Sequence, residues 1–239
     1  MDLGEAWESE ARAWIAWARA PGHDSYVRFH RDLFFPLLPA PGRATVDVGC
    51  GEGRVSRDLA ALGHRVIGIE RSPTLAAAAQ AAAPTMDVRC ADAVAMPLDD
   101  ASADLAVAFM TLQDMDDLDG ALREIVRVLE PGGCLCAAVV HPLNSAGKFE
   151  RLTADARLVI AGDYLRPFRY ADTVERDGLK MTFHSMHRSF EAYFTAFQNA
   201  GLTIDTVREP AMPEDRLRTD ASRRWQRLPL FLHLRARRA

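Results

Sequence analysis

The sequence predicts a doubly wound α/β fold built on a mostly parallel sheet. From residue 44 to residue 140, short β-rich runs alternate with segments of helical spacing. This alternation is typical of parallel sheets with helices on both faces. The run at residues 134–140 is almost wholly apolar, as expected of a strand that is covered on both faces. We therefore expect ligands to bind at the carboxyl ends of the strands.

Each element of the alternation carries its own signal. Glycine and proline end the predicted helices, and proline opens the helix that begins at residue 73 because it suits a first helical turn. The predicted strands are residues 44–48, 65–69, 86–90, 104–109 and 134–140, followed by late strands at 202–208 and 230–234. The predicted helices are residues 54–62, 73–83, 118–129 and 190–200.

The chain divides into four expected segments. The first 40 residues have helical patterning that breaks at Pro21-Gly22, whereas a later stretch rich in aromatic residues and histidine leaves the strand–helix alternation. The segments are a helical N-terminal lid at 1–42, a ligand-binding core at 43–140, a substrate-side insertion at 141–189 that covers the site, and a C-terminal helix and strands at 190–239 that complete the sheet.

Composition argues against several classes of protein. With 29 basic and 33 acidic residues, the net charge of -4 gives no general attraction to nucleic acid. No apolar run reaches the roughly 18 residues of a membrane span, and the N-terminus lacks the features of a secretion signal. The four cysteines have no zinc-site spacing. We expect reduced thiols in a cytoplasmic protein and no metal, nucleic-acid or membrane partner; oligomeric state is not indicated.

A glycine-rich turn follows the first strand, in Val46-Asp47-Val48-Gly49-Cys50-Gly51-Glu52-Gly53-Arg54. Its glycines allow a sharp turn and a close approach of a ligand to the backbone at a helix N-terminus. The dinucleotide fingerprint needs a small residue at its sixth position, where this chain has Arg54. Asp47 would repel a pyrophosphate but suits a ligand with an ammonium group. The turn therefore argues against a dinucleotide.

Two further acids follow the next two strands. Glu70 ends the second strand about 20 residues after the glycines, where a carboxylate can accept both hydroxyls of a ribose. Asp92 follows the third strand and can accept a hydrogen bond from an exocyclic amine. Each acid alone is explained equally well by a helix cap or a turn. Their common register with Asp47 along one sheet edge favours a shared ligand.

These motifs resemble those of the class I S-adenosylmethionine-dependent methyltransferases, especially the small-molecule branch that includes methyltransferase type 11. The matching segments are residues 47–53 (Asp-Val-Gly-Cys-Gly-Glu-Gly), 68–70 (Gly-Ile-Glu), 91–98 (Ala-Asp-Ala-Val-Ala-Met-Pro-Leu) and 127–133 (Arg-Val-Leu-Glu-Pro-Gly-Gly). The resemblance implies a seven-stranded Rossmann-like sheet and S-adenosylmethionine as the cofactor. Many relatives have histidines after the fourth strand, where this chain has Gln113-Asp114-Met115-Asp116-Asp117.

The resemblance also implies the cofactor contacts. The glycines from Gly49 to Gly51 would surround the methionine part, with Asp47 at its amino group, Glu70 at the ribose and Asp92 at the adenine amine. The implied cofactor-binding residues are Asp47, Gly49, Cys50, Gly51, Glu70, Arg71, Asp92, Ala93, Phe109 and Met110.

Methyl transfer from a sulfonium is a direct displacement, so alignment can supply most of the catalysis. A general base is needed where the nucleophile carries a proton. His141, at the end of the fifth strand, is the candidate base, and the alternative is a histidine that caps the turn before Pro142. The substrate-side candidates are Trp17, Tyr26, His30, Tyr164, Tyr170 and His187. For the N-terminal aromatic residues, the alternative role is core packing.

The sequence thus predicts an enzyme that moves a methyl group to O, N or C of a small molecule such as a secondary metabolite. The aromatic substrate-side candidates point to an apolar or aromatic acceptor. Two alternatives remain open. One is a non-catalytic relative that binds the cofactor, and the other is a nicotinamide-dependent oxidoreductase, against which Arg54 and Asp47 argue.

Overall fold

A seven-stranded sheet lies at the centre of the computed structural model, which describes residues 1–239. The strands are β1 (Thr45–Val48), β2 (Val66–Glu70), β3 (Asp87–Cys90), β4 (Ala103–Phe109), β5 (Leu129–Val140), β6 (Lys148–Phe149), β7 (Leu158–Val159), β8 (Phe168–Arg176), β9 (Leu179–His187), β10 (Leu202–Arg208) and β11 (Phe231–Arg238). The order in the main sheet is β10-β11-β5-β4-β1-β2-β3. Strands β1 to β5 pair in parallel, and β11 is antiparallel to both of its neighbours. The predicted fold class is confirmed.

Five of the seven helices begin at a residue whose side chain caps the first turn. They are α1 (Leu3–Arg19), α2 (Arg31–Phe34), α3 (Arg54–Ala61), α4 (Pro73–Ala82), α5 (Leu118–Val128), α6 (Pro142–Ala146) and α7 (Phe190–Asn199). Asp2 and Glu5 form a capping box at the start of α1. Ser72, Asp117 and Ser189 each accept a backbone N–H in the first turn of the helix that follows. None of the helices combines the length with the apolar character that crossing a membrane would require.

The core lies on both faces of the sheet. Successive residues of β4 alternate between them: Leu105 and Val107 join one buried cluster, whereas Ala106 and Ala108 join the other. The larger cluster packs the sheet against α5 and α7, and the smaller one packs it against α3 and the segment around Phe34. Because both faces are covered, polar side chains of the sheet can meet a ligand only at the strand ends.

The fifth strand begins earlier than the sequence pattern predicts. It starts at Leu129, which pairs with Ala103, and the register then shifts so that Cys134 pairs with Leu105. The intervening Pro131-Gly132-Gly133 therefore forms an irregularity within the strand, with Gly132 in the left-handed region (φ 79°).

A β-hairpin, β8–β9, lies within residues 141–189, where the sequence analysis assigned no regular structure. Its two-residue loop is Asp177-Gly178, and both residues have positive φ angles of 49° and 77°. This is the conformation of a type I′ turn, for which Asp-Gly is a strong signal. The hairpin was therefore predictable from a dipeptide that the sequence analysis overlooked.

Helix α1 and this hairpin together cover the carboxyl edge of the sheet, and we call them the cap. Trp7, Trp14 and Trp17 lie on one face of α1, and all three rings contact Phe183 of β9 edge to face, with centroids 6.0–6.4 Å apart. The Trp7 indole also donates a hydrogen bond to the His184 carbonyl (2.9 Å). The cap is thus a packed unit that encloses space above the strands.

The late strand β11 should contribute substantially to stability because it lies between β5 and β10. Leu234 is 1% exposed, and Leu234→Ala should lower the free energy of unfolding by about 2–4 kcal/mol in urea titrations. The control is Val207→Ala on β10, where the side chain is 42% exposed and a loss below about 1 kcal/mol is expected. Equal losses for the two variants would contradict the position of β11 inside the sheet.

Candidate active site

A cavity of about 870 Å³ lies between the cap and the carboxyl ends of the strands. Its wall includes Gly49, Glu70 and Phe109 from the sheet edge and Trp14 and Phe183 from the cap. Pockets for small ligands usually measure about 300–1,000 Å³. A volume at the upper end of that range has room for a nucleoside cofactor and a second small molecule beside it.

The glycine-rich turn presents bare backbone to this cavity. Gly49 and Gly51 have φ angles of 69° and 59°, which glycine adopts at little cost. A Cβ atom on Gly49 would lie 2.1 Å from Thr111 Oγ1, so no other residue fits there. A Cβ atom on Gly51 would meet only Trp14 Nε1, at 3.4 Å, within 4 Å. It would therefore project into the open cradle between the turn and α1, where a ligand can approach the backbone.

Glu70 fixes the turn from the end of β2. Its carboxylate accepts hydrogen bonds from the backbone N–H groups of Gly51 and Ser72, each at 2.8 Å. A carboxylate has about four lone-pair positions, so capacity remains for donors on a ligand. Burial raises the pKa of Glu70, while the backbone hydrogen bonds oppose the shift.

Asp47 lies beside Glu70, on the neighbouring strand β1, and is 1% exposed. The Ser56 hydroxyl donates a hydrogen bond to its carboxylate. Burial, aided by the charge of Glu70, raises the pKa of Asp47 to about 7. Neither carboxylate has an arginine or lysine partner, and both line the cavity. This end of the cavity is therefore suited to a ligand that brings a cation and hydroxyl donors.

Asp92 lies at the mouth of the cavity and is tied to the cap. The guanidinium of Arg71 lies 2.8 Å from Asp2 and 3.4 Å from Asp92. The backbone N–H of Val94 also donates to Asp92. With its side chain 40% exposed, Asp92 can accept a hydrogen bond from a ligand that extends from Glu70 toward the mouth.

Met110 occupies a strained position where β4 ends. Its φ angle is 55°, in the left-handed region that an unbranched side chain enters at a cost of about 1–3 kcal/mol. The strain is held by two hydrogen bonds: its N–H donates to the Ala138 carbonyl, and its carbonyl accepts from the Gln113 side chain. Met110 lines the cavity and also packs against an apolar cluster formed by Phe29, Met212 and Phe231. It thus separates the acidic end from the apolar end.

Asp114 is a further titratable group on the cavity wall, among residues that the sequence analysis noted only as a departure from the family pattern. The Ser185 hydroxyl donates a hydrogen bond to it (2.6 Å). Burial raises its pKa well above the usual range. The buried Tyr170 hydroxyl nearby has no hydrogen-bond partner in the protein. These groups form a polar patch contributed by the hairpin and the segment after β4.

The structure places the ten predicted cofactor-binding residues along this one cavity. The residues that line it are Asp47, Gly49, Cys50, Gly51, Glu70, Arg71, Asp92, Ala93, Phe109 and Met110. Of the substrate-side candidates, Trp17, Tyr26 and Tyr170 also line it. The wall further includes Arg28 and Arg176, which the sequence analysis did not single out.

His141 lies outside the cavity, which removes it as the candidate base. It is fully buried, its Nδ1 accepts the Leu143 N–H (3.2 Å), and its Nε2 bonds to Glu209 (2.8 Å). Burial lowers its pKa despite the neighbouring carboxylate. The alternative expectation, a histidine that caps the turn before Pro142, describes this position.

Three other candidates also lie away from the cavity. His30 is buried against His233, with their ring nitrogens 3.0 Å apart. His187 bonds through Nδ1 to Ser145 and through Nε2 to the Tyr164 carbonyl. The Tyr164 hydroxyl accepts the Phe190 N–H. These side chains anchor segments of the fold and do not line the cavity.

Comparison with known proteins agrees with the architecture. Residues 46–137 match the methyltransferase domain family. A crystal structure of an S-adenosylmethionine-dependent methyltransferase from Mesorhizobium loti is 25% identical, with a TM-score of 0.71 over 87% of this chain and 96% of that one.

Two curated relatives match at the sequence level. A probable S-adenosylmethionine-dependent methyltransferase from Mycolicibacterium smegmatis is 36% identical over 38% of this chain and 36% of its own length. A malonyl-[acyl-carrier protein] O-methyltransferase from Pseudescherichia vulneris is 32% identical over 65% of this chain and 63% of its own. The chain thus spans less than two thirds of either relative.

In sheet order, glycine-rich turn and these matches, the chain is similar to the class I S-adenosylmethionine-dependent methyltransferases. S-adenosylmethionine is the cofactor of that class. The open cradle at Gly51 and the unpaired carboxylates Asp47 and Glu70 suit its backbone-contacting methionine part, ammonium group and ribose hydroxyls.

Asp47→Asn should stabilise the ligand-free protein at pH 8. The Asp47 carboxyl ionises near pH 3.8 when unfolded and near pH 7 when folded. The protonated Asp47 carboxyl contributes its full stabilisation of the folded protein below the pKa that it has in the unfolded chain. This stabilisation is lost as the pH rises through the pKa that it has in the folded protein. The variant should gain on the order of 2 kcal/mol in urea unfolding at pH 8 and less at pH 5.

The matched control is Asp99→Asn, at an exposed position, where a change below about 0.5 kcal/mol is expected at either pH. A loss of stability in Asp47→Asn at pH 8 would show that a bound or structural cation already compensates this carboxylate.

Proposed function

We propose that this protein is an enzyme that transfers the methyl group of S-adenosylmethionine to O, N or C of a small molecule. The observation that carries the proposal is the convergence of Asp47, Glu70 and Asp92 with the Gly49–Gly51 backbone on one cavity. Its chemistry is complementary to a ligand with an ammonium group, vicinal hydroxyls and an exocyclic amine.

Each acid has a separate task at the donor end. In the proposed complex, Asp47 accepts the ammonium group, Glu70 accepts the ribose hydroxyls through its free lone pairs, and Asp92 accepts the adenine amine at the mouth. The cofactor, when bound, supplies a methyl group that is already activated on a sulfonium. The cap then excludes water and fixes the acceptor in line with that methyl group.

Asp114 is the residue that we propose to receive a proton where the acceptor's nucleophile carries one. Its carboxylate lies on the cavity wall, and burial raises its pKa, which increases its affinity for a proton. The Ser185 hydroxyl positions it through the 2.6 Å hydrogen bond. This assignment replaces the earlier expectation for His141.

A small-molecule acceptor is supported by the enclosure of the cavity and by the acidic charge balance. One of the two sequence relatives is by name a malonyl-[acyl-carrier protein] O-methyltransferase, so in that relative the methyl group goes to oxygen. We propose a cytoplasmic location because all four cysteines are free thiols.

The oxidoreductase alternative is disfavoured by the position of Arg54. Its guanidinium packs 4.2 Å from the Tyr26 ring centroid and pairs with Asp24. It therefore fixes the chain between the glycine-rich turn and the N-terminal segment, where a dinucleotide fingerprint needs a small residue for helix–strand packing.

The cofactor assignment is tested by calorimetric titration with S-adenosylhomocysteine. We expect binding by the wild type, and Glu70→Gln should weaken it about 10- to 100-fold because an amide supplies one acceptor oxygen and opposes the Gly51 N–H with its own donor. The control is Glu130→Gln at the opposite edge of the sheet, which should bind like the wild type. If the wild type does not bind S-adenosylhomocysteine at about millimolar concentration, the proposal is refuted, because functional cofactor sites bind far more tightly.

Methyl transfer is tested separately, by incubation with isotopically labelled S-adenosylmethionine and a panel of small acceptors. Transfer of label to an acceptor by the wild type supports the enzyme, and Glu70→Gln should transfer label more slowly at subsaturating S-adenosylmethionine. Tight cofactor binding without transfer to any acceptor class would favour the non-catalytic relative.

A further inference from the structure

Arg28 is a cationic side chain on the cavity wall that has no anionic partner in the protein. Its Nε is buried and makes no hydrogen bond, and its Nη2 contacts only the Met212 sulfur, at 3.7 Å. The Nε atom is therefore buried without a hydrogen-bond acceptor, which is costly for a polar group. A ligand anion bound at the cavity wall would offset this cost.

Two more arginines approach Arg28 from separate segments. Arg176 ends β8, lines the cavity and donates to the carbonyls of Gly22 and His23. Arg218 donates to the same Gly22 carbonyl from the C-terminal segment. Burial and the charges of Arg218 and Arg176 together lower the pKa of Arg28. Three like charges thus lie close enough to affect one another, and none of the three arginines forms an ion pair with a carboxylate.

The nearby carboxylates are engaged elsewhere. Asp24 pairs with Arg54, and Asp177 pairs with His23. Asp172 on β8 also lines the cavity, yet it forms no ion pair with either Arg28 or Arg176. In contrast, the other arginines of the wall each have a carboxylate partner: Arg54 has Asp24, Arg71 has Asp2 and Asp92, and Arg169 has Asp116.

An apolar wall adjoins Arg28. Phe29, Met212 and Phe231 form a buried cluster, and all three line the cavity, as do Trp225 and Leu230. Because Arg28 contacts Met212 directly, the charge lies at the border of this apolar surface. The shape of the site is that of an apolar body with one charged end.

We propose that the methyl acceptor is an apolar small molecule with an oxyanionic group, either a carboxylate or a phosphate. Arg28 binds this anion with support from Arg176. The inference rests on the proposed function, since it names the acceptor of that reaction. The carboxylate of the cofactor's own methionine part is the competing occupant. In the proposed complex that carboxylate would lie nearer Arg54, which directly follows the glycine-rich turn, whereas Arg28 borders the C-terminal apolar wall.

The test compares ligands of one shape and different charge. The wild type, saturated with S-adenosylhomocysteine, is titrated in a calorimeter with 3-phenylpropanoate, 2-phenylethyl phosphate and the uncharged 3-phenylpropanamide. One anion at least should bind about tenfold or more tightly than the amide, with a preference that falls at high salt. The tighter of the two anions identifies the headgroup.

Variants assign the preference to Arg28. Arg28→Gln should abolish it, Arg28→Lys should keep part of it, and Arg208→Gln, at an exposed site on β10, should leave it unchanged. The affinity of Arg28→Gln for S-adenosylhomocysteine should equal that of the wild type, which also shows that the variant is folded.

Several outcomes overturn the inference. The inference fails if the amide binds as tightly as both anions, or if the preference for the anion survives Arg28→Gln in full. It also fails if neither anion binds at about 10 mM, because a functional site would bind more tightly. A loss of S-adenosylhomocysteine affinity in Arg28→Gln would assign the anion to the cofactor instead. If the wild type fails to bind S-adenosylhomocysteine, the proposed function fails, and the same probes titrated into the ligand-free protein still report on the anion site.

Discussion

Two carboxylates buried side by side without a cation are the constraint on which the donor half of the site depends. Asp47 is the last residue but one of β1 and Glu70 is the last residue of the neighbouring parallel strand β2, so the sheet itself brings them together. Burial disfavours their charged forms, and the fold retains this cost because Glu70 also fastens the glycine-rich turn through the Gly51 N–H. Glu70 therefore shapes the cradle and keeps free lone pairs that face it. A ligand with a cation and hydroxyl groups would offset the cost of burying the two carboxylates.

The cap converts this edge into an enclosed reaction space. Three tryptophans of α1 meet Phe183 of the hairpin, while Arg54 and Arg71 tie the N-terminal segment to the sheet through Asp24 and Asp2. Aromatic burial supplies adhesion, and the ion pairs fix orientation. Enclosure also makes charge placement matter more, because electrostatic interactions strengthen where water is excluded. In the proposed complex, the acidic end of the cavity therefore binds the cofactor, and the Arg28 end binds the anionic group of the acceptor.

The sequence predicts the donor half better than the acceptor half, for a physical reason. Asp47, Glu70 and Asp92 follow strands whose order in a parallel sheet is regular, so their meeting point can be inferred from local spacing. The acceptor half is assembled from α1, the hairpin and the C-terminal segment, which meet only through tertiary packing. Arg28 and Arg176 are 148 residues apart in this numbering, and no local pattern relates them. His141 illustrates the converse: it ends a strand beside the site, yet its ring turns away to cap α6.

The central claim, that the unpaired acids receive a nucleoside cofactor, is tested most directly by a crystal structure of the protein with S-adenosylhomocysteine. The account predicts the ribose hydroxyl oxygens about 2.6–3.2 Å from the Glu70 carboxylate, with the ammonium group beside Asp47 and the adenine amine toward Asp92. A complex in which the ribose lies away from Glu70, with Asp47 and Glu70 still lacking a ligand partner, would contradict it.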